Sequence, residues 1–169
     1  MSDFENIIYT ACATILGGVI LLAITELVKV IIISPVQKTK EQIQVVLSRV
    51  DFYCNSLTNF FSAEPDEEEK VLIGSIKKDL RMAATDLRSK YTMVPFKKFL
   101  SWMRFLPSQD RVDIAFSSLI YLHNSILYEG RREYIINLIE MNDNRIEVIH
   151  AALTGGNVPV VLAAEQRAR

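Results

Sequence analysis

Residues 7–25 read IIYTACATILGGVILLAIT, 19 consecutive positions without a charged side chain. A helix rises 1.5 Å per residue, so about 20 such residues cross a hydrocarbon core of about 30 Å. This run alone is long enough to span a bilayer. Apolar character returns after Glu26 and Lys29 at Val30, Ile31, Ile32 and Ile33, which carries the helix on toward the headgroups. A secretory leader would start with lysine or arginine, have a shorter apolar core and end at a small-x-small cleavage site. Here the run is preceded by Asp3 and Glu5 and by no cation, so a retained anchor is expected. Cations follow it at Lys29, Lys38, Lys40 and Arg49. The cytoplasmic bias of lysine and arginine then places the N-terminus outside and the chain after Pro35 in the cytoplasm.

Three smaller features sit on this segment. Thr10, Thr14 and Gly18 recur every four residues, and Ala13 and Gly17 form a neighbouring small-x-x-x-small pair. Small side chains let helix backbones approach closely in lipid, so this face is the expected contact of a homo-oligomer. Glu26 and Lys29, three apart at the inner boundary, read as an interfacial ion pair with the lysine snorkelling. The competing reading is a ring of charge at the mouth of a pore. Pro35 disfavours helix in the residue before it, so the spanning helix is expected to stop or kink there, with Pro35 as a hinge.

The chain as a whole has 169 residues, half of them hydrophobic and 23% charged, with 19 basic against 20 acidic side chains. Its mean hydropathy is +0.18. These values exclude a disordered polar tail, and the length excludes a large multidomain enzyme. Cys12 and Cys54 fall in segments of different character, and two cysteines make no disulfide scaffold.

After Pro35 the hydrophobic residues step by three and four. Ile43, Val46, Leu47, Val50, Cys54, Leu57 and Phe61 mark one amphipathic helix. The acids of Glu64-Pro65-Asp66-Glu67-Glu68-Glu69 suit the positive end of a second helix, running from about Asp66 to Tyr91 through Ile73, Ile76, Leu80, Ala84 and Leu87. Pro95 ends it, and Phe96 to Phe105 reads as a non-helical joint. A third helix runs from Asp110 to Tyr128, closed by Gly130. A fourth runs from Arg131 to Leu153, with a break expected at Asn142-Asp143-Asn144 and a stop at Gly155-Gly156. No alternating runs support strands. The expected fold is all-α: an anchor over 1–35, an antiparallel bundle of about four helices over 36–154, and a tail over 155–169.

The chemistry-bearing residues are sparse. His123 and His150 lie on different helices, neither with a ligand at metal-site spacing on its own helix. No phosphate loop, nucleophile elbow or H-E-x-x-H motif occurs, so an enzyme is not expected, nor a metal or cofactor. One segment is different. Between Lys77 and Arg111 lie nine cations and three acids, a net of +6, while the rest of residues 36–154 has seven cations and 13 acids, a net of −6. Charge is segregated along the chain.

Three uses compete for this segment. Lysine and arginine gain about 1 kcal/mol each beside an anionic leaflet, with Phe96, Phe99, Trp102 and Phe105 as interfacial wedges. The same cations could hold a phosphate-bearing ligand, arginine by its forked donors and the aromatics by stacking. The third use is pairing with the acidic turn at 64–69 of the same or another subunit. Arg81, Arg88, Lys90, Lys97, Lys98, Trp102 and Arg104 are therefore the candidate ligand- or lipid-binding residues, and duplex nucleic acid is not an expected partner.

The text Leu80-Arg81, Ala83-Ala84, Asp86-Leu87-Arg88, Val94-Pro95-Phe96, Leu106-Pro107 and Ala115 to Leu122 with Asn124-Ser125 resembles a pattern in uncharacterised bacterial membrane proteins. Those proteins place one N-terminal membrane helix before a small cytosolic helical domain. The resemblance covers about 50 residues and implies a bacterial inner-membrane location, with no catalytic residue to carry over. In layout alone the chain is also similar to small membrane-anchored effectors of antiphage signalling, which bind a nucleotide messenger and perturb the membrane. The expected function is a non-enzymatic oligomer whose cytosolic domain receives a protein or an anionic or nucleotide ligand and passes that signal to the membrane helices, in one version by forming a pore. The alternative is an anchored scaffold that docks a cytosolic partner.

Overall fold

The computed structural model describes residues 3–58, 66–126 and 132–158. Phe61, Glu64, Pro65, Tyr128, Gly130, Arg131 and the tail beyond 158 lie outside them. All elements among the described residues are helical: α1 (Asp3–Val28), α2 (Ser34–Thr58), α3 (Glu67–Thr92), α4 (Lys97–Trp102), α5 (Gln109–Ser125) and α6 (Arg132–Thr154).

The stop expected at Pro35 does not occur. α1 continues through a π-helical turn, Lys29–Ile33, directly into α2, giving an unbroken helix of 52 residues from Asn6 to Leu57. Proline lacks an N–H, and its ring crowds the carbonyl one turn back. The turn before it widens instead of breaking: the Ser34 N–H bonds to the Lys29 carbonyl, five residues back. Pro35 then enters the first turn of α2, where its fixed φ is tolerated. Its carbonyl accepts the Thr39 hydroxyl at 2.9 Å.

α2, α3, α5 and α6 pack in a cycle, α2 on α3 and α6, and α5 on α3 and α6. Cross-links between them give the directions. Gln42 Nε2 donates to the Ala83 carbonyl, whereas Tyr53, farther along α2, donates to Asp79, earlier on α3. Tyr91 at the end of α3 donates to the Pro107 carbonyl just before α5, while His123 near the end of α5 bonds to the Lys77 carbonyl. A carbonyl only accepts, so His123 Nδ1 carries the proton. Arg111 donates to the Ala151 carbonyl, and Asn142 to that of Leu57. Each neighbouring pair thus runs in opposite directions.

The apolar stripes face one interior. Val46, Val50, Ile76, Leu80, Leu87, Val112, Leu119, Leu122, Ile149 and Ala152 are buried in it, and Val158 packs against its edge. Fully burying a side chain of this kind contributes about 1.5–3 kcal/mol. α3 starts as its acids imply: Asp66 is the N-cap and accepts the Glu69 N–H at 2.8 Å. The break expected at Asn142-Asp143-Asn144 is absent. α6 runs through it, because Asn142 is buried and its amide caps the Leu57 carbonyl at the end of α2, at 2.8 Å.

Tyr91 is the largest fully buried side chain among the described residues and ties the end of α3 to the approach of α5. Burial first, then the charges of Asp113 and Asp110, hold its pKa above the ordinary value of 10.0. The fold therefore favours the neutral hydroxyl. That contribution is complete below about pH 10 and is lost as pH rises through the folded-state value. Tyr91→Phe should cost about 1 kcal/mol at neutral pH and lessen the alkaline decline in stability, read by chemical denaturation followed by circular dichroism between pH 7 and 11. An unchanged alkaline slope would contradict this assignment.

Candidate functional site

α1 is apolar on every side, and no other element covers it. Its described side chains are all exposed, among them Ile7, Leu16, Val19, Leu21, Leu22 and Leu27. Soluble chains rarely leave a contiguous apolar surface of this size open to water. By length and composition this helix is sufficient to cross a membrane. The threonines on its small-residue stripe are already satisfied. Thr10 donates to the Asn6 carbonyl and Thr14 to that of Thr10, each at 2.8 Å. The stripe therefore offers close packing at Ala13, Gly17 and Gly18 rather than hydrogen bonds. A Cβ added at Gly17 or Gly18 would meet nothing within 4 Å. Lys29 and Glu26 close on each other at 2.7 Å, both more than half exposed.

The antiparallel register brings the α3–α5 connection and the end of α6 back beside the first turns of α2, the end nearest α1. The connection is not the non-helical joint expected from sequence, because α4 forms a short helix inside it. Both flanks bend through left-handed residues, Phe96 at φ 51° and Arg104 at φ 60°. At the second bend the Phe105 N–H bonds to the Leu100 carbonyl and the Arg104 N–H to that of Ser101. This is the Schellman pattern, whose left-handed position usually holds glycine. Leu100 is buried and pins α4 to the domain. Met93, Phe96, Phe99, Trp102, Met103 and Phe105 are all exposed, with Trp102 at 78%.

The candidate cations do not gather in one place. Lys90 Nζ donates to Gln42 Oε1 at 2.7 Å, which joins α3 to α2. Arg88 lies 4.7 Å from the Phe116 ring and 3.9 Å from Asp113. Lys97 lies 5.5 Å from the Tyr91 ring. These three have work inside the fold. Arg81 sits 11 residues before the end of α3, about 16 Å up its axis from α4. Lys98 and Trp102 are exposed on α4. The acidic start of α3 is about 37 Å from the helix's other end, out of reach of α4 in the same chain.

Arg104 has a different setting. It lines a cleft of ≈ 680 Å³ with Lys40 from α2 and Arg111 from α5. Lys40 and Arg111 were outside the candidate set drawn from the sequence, since their convergence depends on helix packing rather than on spacing. Elsewhere, His150 bonds to Asp51 at 2.8 Å, and no group of three or more metal-ligating side chains occurs among the described residues. No family model, curated protein or solved structure matches this chain.

Proposed function

We propose that the protein is a non-enzymatic, homo-oligomeric component of a bacterial inner membrane, with α1 spanning the bilayer and an antiparallel four-helix bundle in the cytoplasm that passes a bound signal to the span. The observation that carries this reading is the unbroken helix from Asn6 to Leu57. Its first half is uncharged and exposed from Ile7 to Thr25, and its second half supplies Thr39, Ile43, Val46 and Val50 to the buried interior. A rearrangement of the bundle therefore reaches the span through a continuous helix. The π-turn beside Pro35 is the compliant point, because its wider hydrogen bonds yield before those of an α-helix.

In this arrangement α4 lies against the inner leaflet. Val30 to Ile33 carry the helix through the headgroups, and Lys40 stands seven residues beyond Ile33, about 10 Å along the axis. The exposed aromatics of α4 are at the same end, with Lys97 and Lys98 among them. Aromatic rings and cations together favour the interface of an anionic membrane. The Glu26–Lys29 pair suits the same boundary, where insertion costs less than the roughly 2.5–3.5 kcal/mol charged at the bilayer centre.

Two measurements test this. Trp102 is the only tryptophan, so in vesicles of phosphatidylcholine and phosphatidylglycerol its fluorescence should be quenched by lipids brominated near the headgroup and resist aqueous acrylamide. Full acrylamide quenching with no effect of brominated lipid would remove α4 from the leaflet. Gly17→Leu fits within its own chain, yet should separate neighbouring spans and lower the detergent-solubilised mass toward that of a monomer. A wild type that is already monomeric would contradict the oligomer.

A further inference from the structure

We propose that the cleft between Lys40, Arg104 and Arg111 binds the phosphate of an anionic ligand, and that this is where the bundle receives its signal. The inference rests on the coupling role above and gives it a site and a ligand class. Two segments far apart in the chain, the start of α2 and the connection running into α5, bring these three cations to the cleft. Ser101, Ser108 and Gln44 add neutral polar groups, and among the described residues no carboxylate lines it. None of the three cations has an acidic side chain within 4 Å among the described residues. Cations gathered without counter-charge repel one another, and an anion with several acceptor oxygens relieves that repulsion.

The partners of the three cations divide their roles. Arg111 already spends one N–H on the Ala151 carbonyl, at 3.1 Å, so it holds α6 to α5 while its other donors remain. Lys40 lies 5.7 Å from the Phe105 ring, a contact that aims its ammonium without neutralising it. Arg104 is held in the left-handed conformation at the end of α4. Glycine would sit there with less strain, by about 1 kcal/mol. An arginine at that position puts a forked donor at the cleft. The start of α5 is at the same wall, where Ser108 caps the helix and its positive end adds to the field.

The position gives the site its consequence. Lys40 belongs to the helix that continues into the span, whereas Arg104 and Arg111 belong to the connection and α5. A phosphate shared among them closes the connection onto that helix, so occupancy biases the angle at which the helix leaves the bundle. Two sources share this chemistry, a soluble phosphorylated molecule and the headgroup of an anionic lipid reaching the cleft beside α4.

The test uses the full chain in dodecylmaltoside and, separately, in phosphatidylcholine nanodiscs. Inorganic pyrophosphate is titrated by calorimetry, and phosphatidylglycerol retention is read by native mass spectrometry. The wild type should bind at least one of them. The double variant Lys40→Gln with Arg104→Gly should bind it about 10- to 100-fold more weakly, the range expected for losing charged hydrogen bonds. Glycine suits the left-handed position, so the variant should melt no lower than the wild type. Lys78→Gln, exposed on α3 and outside both the cleft and α4, should bind as the wild type does. Pyrophosphate binding in nanodiscs free of anionic lipid assigns a soluble ligand, and phosphatidylglycerol retention without pyrophosphate binding assigns a lipid. Binding of neither probe by the wild type, undiminished binding by the double variant, or equal loss in Lys78→Gln overturns the site. Pyrophosphate binding by a chain that proves extractable without detergent would retain the cleft while removing the anchor.

Discussion

A helix surface that is apolar all the way round has to be taken out of water, and none of the described residues does so for residues 7–25. The buried stripes of the helical domain pack against one another, and among the described residues α1 is left without an intramolecular partner. Every other feature is arranged relative to that helix. Because the π-turn lets the backbone pass Pro35, the domain is an extension of α1 and not a body tethered to it. A break there would have uncoupled the two halves.

The alternating directions of α2, α3, α5 and α6 then decide what stands near α1. One reversal, from α2 to α3, brings the α3–α5 connection back to that end, and the end of α6 returns there as well. Exposed aromatics and unpaired cations concentrate where α2 begins. The acidic start of α3 is carried to the other end. Among the described residues, Lys40, Lys90, Arg104 and Arg111 stand at the α1 end of the domain and Asp66, Glu67, Glu68 and Glu69 at the other.

The parts legible in the sequence are those set by local periodicity. Ile73, Ile76, Leu80, Ala84, Leu87 and Tyr91 are buried as their spacing implies, because a 3.6-residue stripe has one way to face an interior. Asp66 with the acids behind it marks the start of α3 for a similar local reason. Features that depend on partners distant in sequence were not legible. Asn142 looks like a helix breaker until the end of α2 is placed beside it. Lys90 looks like a free cation until Gln42 faces it. Pro35 looks like a stop because the rule for proline says nothing of a π-turn that accommodates it. The candidate site divided for the same reason: nearness along the chain grouped Arg81 to Arg104, whereas packing separates Arg81 from Arg104 and brings Lys40 and Arg111 to the latter.

The most direct measurement is a nitroxide scan from residue 7 to residue 58 of the full chain in lipid vesicles, reading collision with dissolved oxygen and with a water-soluble nickel chelate. The account predicts low nickel accessibility at every position from 7 to 25, with oxygen accessibility high except on the Ala13, Gly17 and Gly18 face, passing without a break into a 3.6-residue oscillation beyond Pro35. Uniform nickel accessibility across residues 7–25, or loss of helical periodicity between 29 and 40, would contradict it.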